Sequence, residues 1–306
     1  LFCSKRILLL CLFLFDICLL FRAGTEGPRQ YCEIWESFGV PCHAAGAARF
    51  ADLRGLIAGW ESLRAGEDPY QSHPAEPWKR PYNHPRLWLN FEFLGIDSSH
   101  ASLLAFMVTF LFFVSLFWIL PENTCTGFFI SFFVLISPSV MLALERCNAD
   151  LLIFSLLTLA IFLLQGKILR RLWGYALILV AFFLKVFPIF ALVVCIKEKK
   201  RIMFILMAVS LAALLLFFYE NRDMVMCLGG GTREWLAYGG CQLFTVLENR
   251  MKPWFQPDFS AEMIVVMNLV TGLAVLLAVF FYAGKTRKTY QADFSRHEKE
   301  RDLFRA

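Results

Sequence analysis

The chain has 306 residues, of which 58% are hydrophobic and 18% charged, with a formal net charge of +5. A soluble domain usually has about 45–50% apolar and about 25% charged residues. The apolar residues stand in long blocks, which argues against a soluble domain and predicts membrane-spanning helices. The basic residues lie beside these blocks, so the positive charge is typical of cytoplasmic loops and not of nucleic-acid binding.

The first apolar block, residues 7–21, follows Lys5 and Arg6 and is predicted to be an uncleaved signal anchor. A cleaved signal peptide is the alternative interpretation. Both place the following loop, residues 23–100, on the non-cytoplasmic side. Asp16 lies inside the block, where an ionisable side chain is expected to face protein or water.

This first outer loop is predicted to carry an amphipathic helix that lies on the membrane, over about residues 50–66, because apolar residues recur there at helical spacing. Gly66 ends the helix and Pro69 begins a turn. Asp52 lies near the start of the helix, where it is either an N-terminal cap or a functional carboxylate. The residues alone favour the cap.

The later apolar blocks predict a second group of membrane segments. The block at 175–196 contains Lys185 and Pro188, and one complete crossing there would place the basic residues 197–201 outside, against the positive-inside rule. We therefore predict a re-entrant hairpin that breaks near Lys185–Pro188, with arms of about ten residues, or roughly 15 Å each. The other predicted segments are helices at 101–120, 128–144, 151–164, 202–218 and 263–282, an outer loop at 219–262 and a cytoplasmic tail at 285–306.

Each outer loop contains two cysteines, Cys32 with Cys42 and Cys227 with Cys241. Two disulfides and four free thiols are both open interpretations. The sequence has no C-x-x-C motif, and its five histidines do not pair at metal-ligand spacing. We therefore predict no metal site and no cofactor.

Several charged residues are predicted to lie at the outer ends of membrane helices. The turn ERCNAD, residues 145–150, follows one helix; Lys185 marks the tip of the hairpin; His84 and Arg86 precede the second crossing. A cation near the interface suits a phosphate group, although a snorkelling side chain has the same position. For Arg86 both interpretations stay open, while the broken helix favours a functional role for Lys185.

These motifs, in this order, resemble the membrane glycosyltransferases of the GT-C class, and most closely glycosyltransferase family 87. The similarity covers roughly residues 50–190. The turn at 145–150 differs from the Gly-Gln-x-Asn element expected there and keeps Asn148, and family members are longer, which implies that this chain is truncated at its C-terminus. The matching motifs are Asp52-Leu53, Gly66-Glu67-Asp68-Pro69-Tyr70, Tyr82-Asn83-His84-Pro85 and Lys185-Val186-Phe187-Pro188.

The resemblance implies an all-α polytopic membrane protein, a GT-C-like helical bundle in the cell inner membrane with its active site on the periplasmic face. It implies transfer of a hexose, of mannose type, from a polyprenyl-phosphate-linked donor to a lipid or glycan acceptor, among membrane lipids and without nucleic acid or cofactor. A transporter or flippase, or a non-catalytic membrane subunit, stays open, because broken helices and intramembrane charge are typical of such proteins too. The implied roles are Asp52 as general base with Asp68 as fallback, Lys185, Arg146 and Arg86 as donor-phosphate ligands, and Asn83, His84, Asn148 and Tyr70 as pocket residues.

Overall fold

The computed structural model describes residues 5–25, 28–40, 49–71, 76, 82–120 and 125–222. Within these residues the regular structure is helical and contains no strand, which confirms the all-α fold class for this part of the chain. The chain divides into two compact units, Leu1–Lys185 and Val186–Ala306. The predicted helix at 263–282, the tail at 285–306 and nearly all of the loop at 219–262 lie outside the described residues.

The helices of the first unit are α1 (Lys5–Thr25), α2 (Pro28–Glu36), α3 (Ala51–Arg64), α4 (Arg86–Leu89), α5 (Ala101–Ile119), α6 (Cys125–Leu135), α7 (Pro138–Arg146), α8 (Ala149–Leu164) and α9 (Ile168–Leu184). Two short 3-10 helices, Asn90–Leu94 and Ser98–His100, connect α4 to α5. In the second unit a 3-10 helix, Phe187–Lys197, precedes α10 (Lys200–Glu220).

The described residues include two helices that are long and apolar enough to cross a membrane, Ser98–Ile119 and α10. The bent pair Phe129–Leu135 and Pro138–Arg146 is a third candidate if it forms one span. Other apolar helices, including Ile7–Leu19 within α1, are shorter. Two or three helices of the described part are thus able to span a bilayer, and the larger number of crossings stays a prediction.

The predicted continuous helix at 128–144 is corrected by the structure, because α6 and α7 meet at a bend of 48°. Pro138 explains the break: a proline disfavours helical backbone in the preceding residue, and Ser137 is extended, with ψ 149°. Pro138 itself opens α7, a position where its missing N–H group would have had no partner within the helix. Hydropathy alone obscured this break, since the residues on both sides of it are apolar.

The segment predicted to break near Lys185 changes conformation there. Helix α9 ends at Leu184, Lys185 is extended with φ −160° and ψ 133°, and the 3-10 helix begins at Phe187. With 17 residues, α9 is about 25 Å long. It is therefore longer than the predicted arm of about ten residues, because the residues from Ile168 onwards, including Arg170 and Arg171, are helical too. The return of the chain to the same membrane face stays a prediction.

Helix α3 occupies the position of the predicted amphipathic helix. Its apolar face, with Leu53, Ile57 and Trp60, packs against Ala101 and Ala105 at the start of α5. The apolar periodicity of the sequence is therefore satisfied by protein contacts. This packing fixes the direction of α3 and the position of Asp52 in its first turn.

Two tryptophans fix the middle of α3 relative to α4 and α9. The indole Nε1 of Trp60 donates to the carbonyl of Trp88 at 2.6 Å, and the indole Nε1 of Trp88 donates to the carbonyl of Leu184 at 2.9 Å. Both indoles are buried. Because the last carbonyls of a helix have no partner within it, Trp88 also satisfies the end of α9 directly before Lys185.

The packing of Gly59 predicts the stability of a pair of variants in α3. A Cβ atom at Gly59 would lie 2.5 Å from the Tyr82 ring, which is only 1% exposed, whereas a Cβ atom at Gly55 would have no heavy atom within 4 Å. We expect Gly59→Ala to destabilise the protein by about 1–3 kcal/mol through overpacking. Gly55→Ala should stabilise it by about 0.5–1 kcal/mol through helix propensity. Thermal unfolding in detergent measures both, and equal shifts would contradict this packing.

Candidate functional site

The carboxylate of Asp52 is held by the turn between α7 and α8. Arg146 donates to Oδ1 of Asp52 from Nε at 2.9 Å and from Nη2 at 2.6 Å, while Nδ2 of Asn148 donates to Oδ2 at 2.6 Å. The side chains of Asp52 and Arg146 are 19% and 18% exposed. Asp52 is not the cap of α3, since that position belongs to Phe50, which makes no side-chain capping bond.

Asn148 has two roles in this arrangement. Its Oδ1 accepts from the backbone N–H of Asp150 at 2.9 Å and caps α8, while its Nδ2 donates to Asp52. Asparagine is among the best N-caps, and its amide combines an acceptor with two donors. The cap therefore orients the amide group that holds the Asp52 carboxylate.

Lys185 lies beside the same turn. Its Nζ is 2.6 Å from Oδ1 of Asp150, and the two side chains are 35% and 42% exposed. An ion pair this exposed contributes little stability, but it places a cation at the N-terminal end of α8. The structure thus brings together four of the predicted site residues, Asp52, Arg146, Asn148 and Lys185.

Glu145 connects this cluster to α2, a contact that the sequence did not predict. Its carboxylate accepts from the hydroxyl of Tyr31, and its carbonyl accepts from the N–H of Phe50 at 3.2 Å. Both side chains of the Tyr31–Glu145 pair are buried. Burial, followed by the negative charge of Glu145, raises the pKa of Tyr31 well above its usual value, so the phenol stays protonated and donates. Nothing in the local pattern around Tyr31 indicates this role.

The backbone is strained at two residues of this arrangement, one just before α3 and one in the turn that holds the Asp52 carboxylate. In the described residues, the non-glycine residues with positive φ are Phe50 at 56° and Cys147 at 46°. Phe50 directly precedes α3, and Cys147 separates Arg146 from Asn148. The left-handed conformation costs an L-residue roughly 1–2 kcal/mol, and such strain concentrates at functional sites.

The Cys147 thiol is itself unsuited to nucleophilic chemistry. The residue is 2% exposed, and burial together with the negative charge of Asp52 raises the pKa of the thiol to about 12. Since the thiolate is the reactive form, Cys147 is neutral at physiological pH. Its contribution to the cluster is the shape of the turn.

A second group of predicted site residues lies at the C-terminal end of α3 and consists of Arg86, Asp68 and Tyr70. They line a cleft of about 510 Å³, and the Arg86 guanidinium lies 5.7 Å from the centre of the Tyr70 ring. Leu63 also lines the cleft. It lies on the same helix as Asp52, roughly 16 Å further along the helix axis. The predicted site residues therefore lie in two groups, at the two ends of α3.

The fallback base and two of the predicted pocket residues have structural contacts at this second place. Oδ1 of Asp68 accepts from the backbone N–H of Tyr70 at 3.1 Å, which closes the turn. The Tyr70 hydroxyl donates to the carbonyl of His84 at 2.8 Å, and the His84 ring packs on Tyr82. Asn83 is exposed. Among the described residues, the cleft lining includes neither Asn83 nor His84.

The described residues contain no group of three or more histidine, cysteine or acidic side chains placed to hold a metal ion. Cys32 is disulfide-bonded. Cys42, Cys227 and Cys241 lie outside the described residues. Both cysteine pairings therefore stay predictions.

Comparison with known proteins adds no relative. No protein-family model, no curated protein and no solved structure matches this chain.

The dual role of Asn148 predicts a pH-dependent loss of stability in Asn148→Asp. Aspartate caps a helix as well as asparagine does, but it places a second carboxylate against Asp52 where a donor lay at 2.6 Å. Two adjacent carboxylates raise the pKa of one of them in the folded state. The variant should therefore be close to wild type near pH 4 and lose about 1–3 kcal/mol of stability as the pH rises to neutral.

Thermal unfolding of both proteins across this pH range measures the effect. Asn148→Ala is the control, because it removes the cap and the donor without adding a charge, so its loss of stability should change little with pH. A variant Asn148→Asp as stable as the wild type at pH 8 would contradict the contact with Asp52.

Proposed function

We propose that this protein is a membrane glycosyltransferase of the GT-C type, which moves a sugar from a polyprenyl-phosphate-linked donor to an acceptor at the non-cytoplasmic membrane face. One observation carries the proposal: Asp52, Arg146, Asn148 and Lys185 converge at the N-terminal end of α8. Asp52 and Lys185 belong to motifs that resemble family 87, whereas Arg146 and Asn148 belong to the turn at 145–150, which differs from the family element and keeps Asn148. The cluster meets two demands of the reaction, a carboxylate base and cations for a lipid phosphate.

Asp52 is the general base in this proposal. The acceptor hydroxyl oxygen attacks the anomeric carbon, the bond from that carbon to the phosphate oxygen breaks, and Asp52 takes the hydroxyl proton. Arg146 and Asn148 donate three hydrogen bonds to the carboxylate. A carboxylate has about four lone-pair positions, so the orientation is fixed while one position is left for the acceptor hydroxyl.

Arg146 and Lys185 hold the donor phosphate. The leaving lipid phosphate gains negative charge as its bond to the sugar breaks, so nearby cations stabilise the transition state more than the ground state. Each cation is also paired with a carboxylate, Arg146 with Asp52 and Lys185 with Asp150. A bound phosphate competes for these cations. Binding of the donor then weakens the hold of Arg146 on Asp52 and makes the carboxylate a stronger base.

Replacement of Asp52 tests the assignment of the base. In membranes that contain the full chain, Asp52→Asn should lower transfer from a labelled polyprenyl-phosphate sugar by about 10²-fold or more, at normal expression. Asp97→Asn is the matched control, because Asp97 caps the 3-10 helix Ser98–His100 in the same predicted loop and asparagine is an equivalent cap. The control should keep wild-type activity.

The exchange variant Asp52→Asn with Asn148→Asp separates chemistry from structure. It keeps one carboxylate and one amide at the contact, so its stability should return towards that of the wild type while transfer stays low. Recovery of both stability and transfer would show that the contact acts through structure only, and it would contradict the role of Asp52 as general base. Substrate-dependent flux in vesicles without transfer would instead support a transporter, and neither activity with a co-purified partner would support a non-catalytic subunit.

Lys185→Gln tests the phosphate site. The variant removes the positive charge and should raise KM for the donor by about tenfold or more, as expected for a lost charge-assisted hydrogen bond of roughly 1.5–3 kcal/mol. Asp150→Asn removes the partner at 2.6 Å but keeps the cation, so its donor KM should stay equal or fall. Steady-state kinetics with varied donor measure both variants. Equal increases in KM would show that the ion pair acts through structure only.

A further inference from the structure

The cleft at the C-terminal end of α3 has the construction of a ligand site. We call it the acidic cleft. Its lining includes buried Pro69 and Tyr70 and the exposed polar side chains of Asp68, Arg86 and Asn90. A concave apolar floor with a few polar groups around it is the usual form of a small-molecule site.

The acidic cleft is held in shape by hydrogen bonds around its lining. The backbone N–H of Tyr82 donates to the carbonyl of Pro69 at 3.1 Å, and the Tyr70 hydroxyl donates to the carbonyl of His84 at 2.8 Å. Oδ1 of Asp68 accepts from the N–H of Tyr70 at 3.1 Å. These contacts order the lining in advance, which lowers the entropy lost on binding.

The charges of the lining decide which ligand fits. Among the described residues, the lining contains two carboxylates, Glu67 and Asp68, and one guanidinium, Arg86, so this part of the cleft carries a net negative charge and disfavours a phosphate or a carboxylate ligand. Carboxylates, a guanidinium and the amide of Asn90 offer acceptors and donors for neighbouring hydroxyl groups. The apolar side chains of Leu63 and Leu89 in the lining suit the C–H face of a sugar ring. An uncharged sugar therefore fits these groups better than the donor phosphate does.

The position of the acidic cleft indicates which sugar it binds. Leu63 of the cleft and Asp52 lie on one helix, roughly 16 Å apart along its axis, which is too far for one sugar residue to occupy both places. We propose that the acidic cleft binds a distal residue of an uncharged oligosaccharide acceptor whose reacting hydroxyl is at Asp52. The role of acceptor rests on the proposed function, whereas binding of the sugar by the cleft does not.

Direct binding tests this proposal without any need for transfer. The full chain, purified in lipid nanodiscs, is titrated with neutral tetrasaccharides of mannose, of glucose and of galactose, and ligand-observed NMR measures each Kd. At least one should bind the wild type, and Asn90→Ala and Glu67→Gln should weaken it by about tenfold or more. Asn90 is exposed and makes its helix-end contact through the backbone, so Asn90→Ala should fold normally.

Two controls locate the binding. Glu92→Gln removes a carboxylate from the adjoining 3-10 helix, outside the cleft lining, and should leave Kd unchanged. Asp97→Asn, which also lies outside the cleft lining, should likewise leave Kd unchanged. Failure of all the tetrasaccharides to bind, or equal Kd values in the cleft variants and the wild type, would overturn the proposal.

The kinetic counterpart separates this inference from the proposed function. If transfer occurs, Asn90→Ala should raise KM for a tetrasaccharide acceptor more than for a monosaccharide acceptor. Transfer that depends on Asp52, with tetrasaccharide binding unchanged in Asn90→Ala, would overturn the acidic cleft alone. Tetrasaccharide binding that depends on Asn90, with transfer unaffected by Asp52→Asn, would support the cleft and contradict the general base.

Discussion

The ion pair between Asp52 and Arg146, with Asn148 on the second carboxylate oxygen, is the constraint on which the rest of the site depends. A partly buried charge is costly unless it is paired and hydrogen-bonded, so the start of α3 is fixed against the turn before α8. The direction of α3 then determines where Trp60 meets Trp88, and Trp88 in turn contacts the end of α9. Together with the apolar packing of α3, this charged contact places the helix across the start of α8 and the end of α9.

The helical fold of the described residues was predictable from the sequence, but the contacts of the candidate site residues were not. Apolar spacing predicted α3, and the resemblance to family 87 directed attention to Asp52 and Lys185, while Asn148 stood in the turn that departs from the family element. The bond between Asp52 and Arg146 joins positions 94 residues apart, and local spacing carries no information on such a pair. Tyr31 was missed for the same reason, since its partner Glu145 is 114 residues away.

The division of the predicted site has a geometric cause. The family resemblance assigned site roles to residues around Asp52 and to residues around Asp68. A helix lies between them, however, and each of its residues adds about 1.5 Å of separation. At α6 and α7 the local sequence was informative, because Pro138 indicates a break in the helix. The apolar residues on both sides of it led instead to the prediction of one segment. The positions of prolines therefore have to be read together with hydropathy to predict where a membrane helix breaks.

The double role of Asn148 has a consequence for how this sequence can vary over evolution. One amide caps α8 through its oxygen and holds Asp52 through its nitrogen. Serine, threonine or aspartate would keep the cap but would lose the amide donor, and glutamine would place the amide one methylene further out. Homologous sequences should therefore change positions 52 and 148 together or keep both, and a substitution at one position alone would mark a lineage that has lost this arrangement.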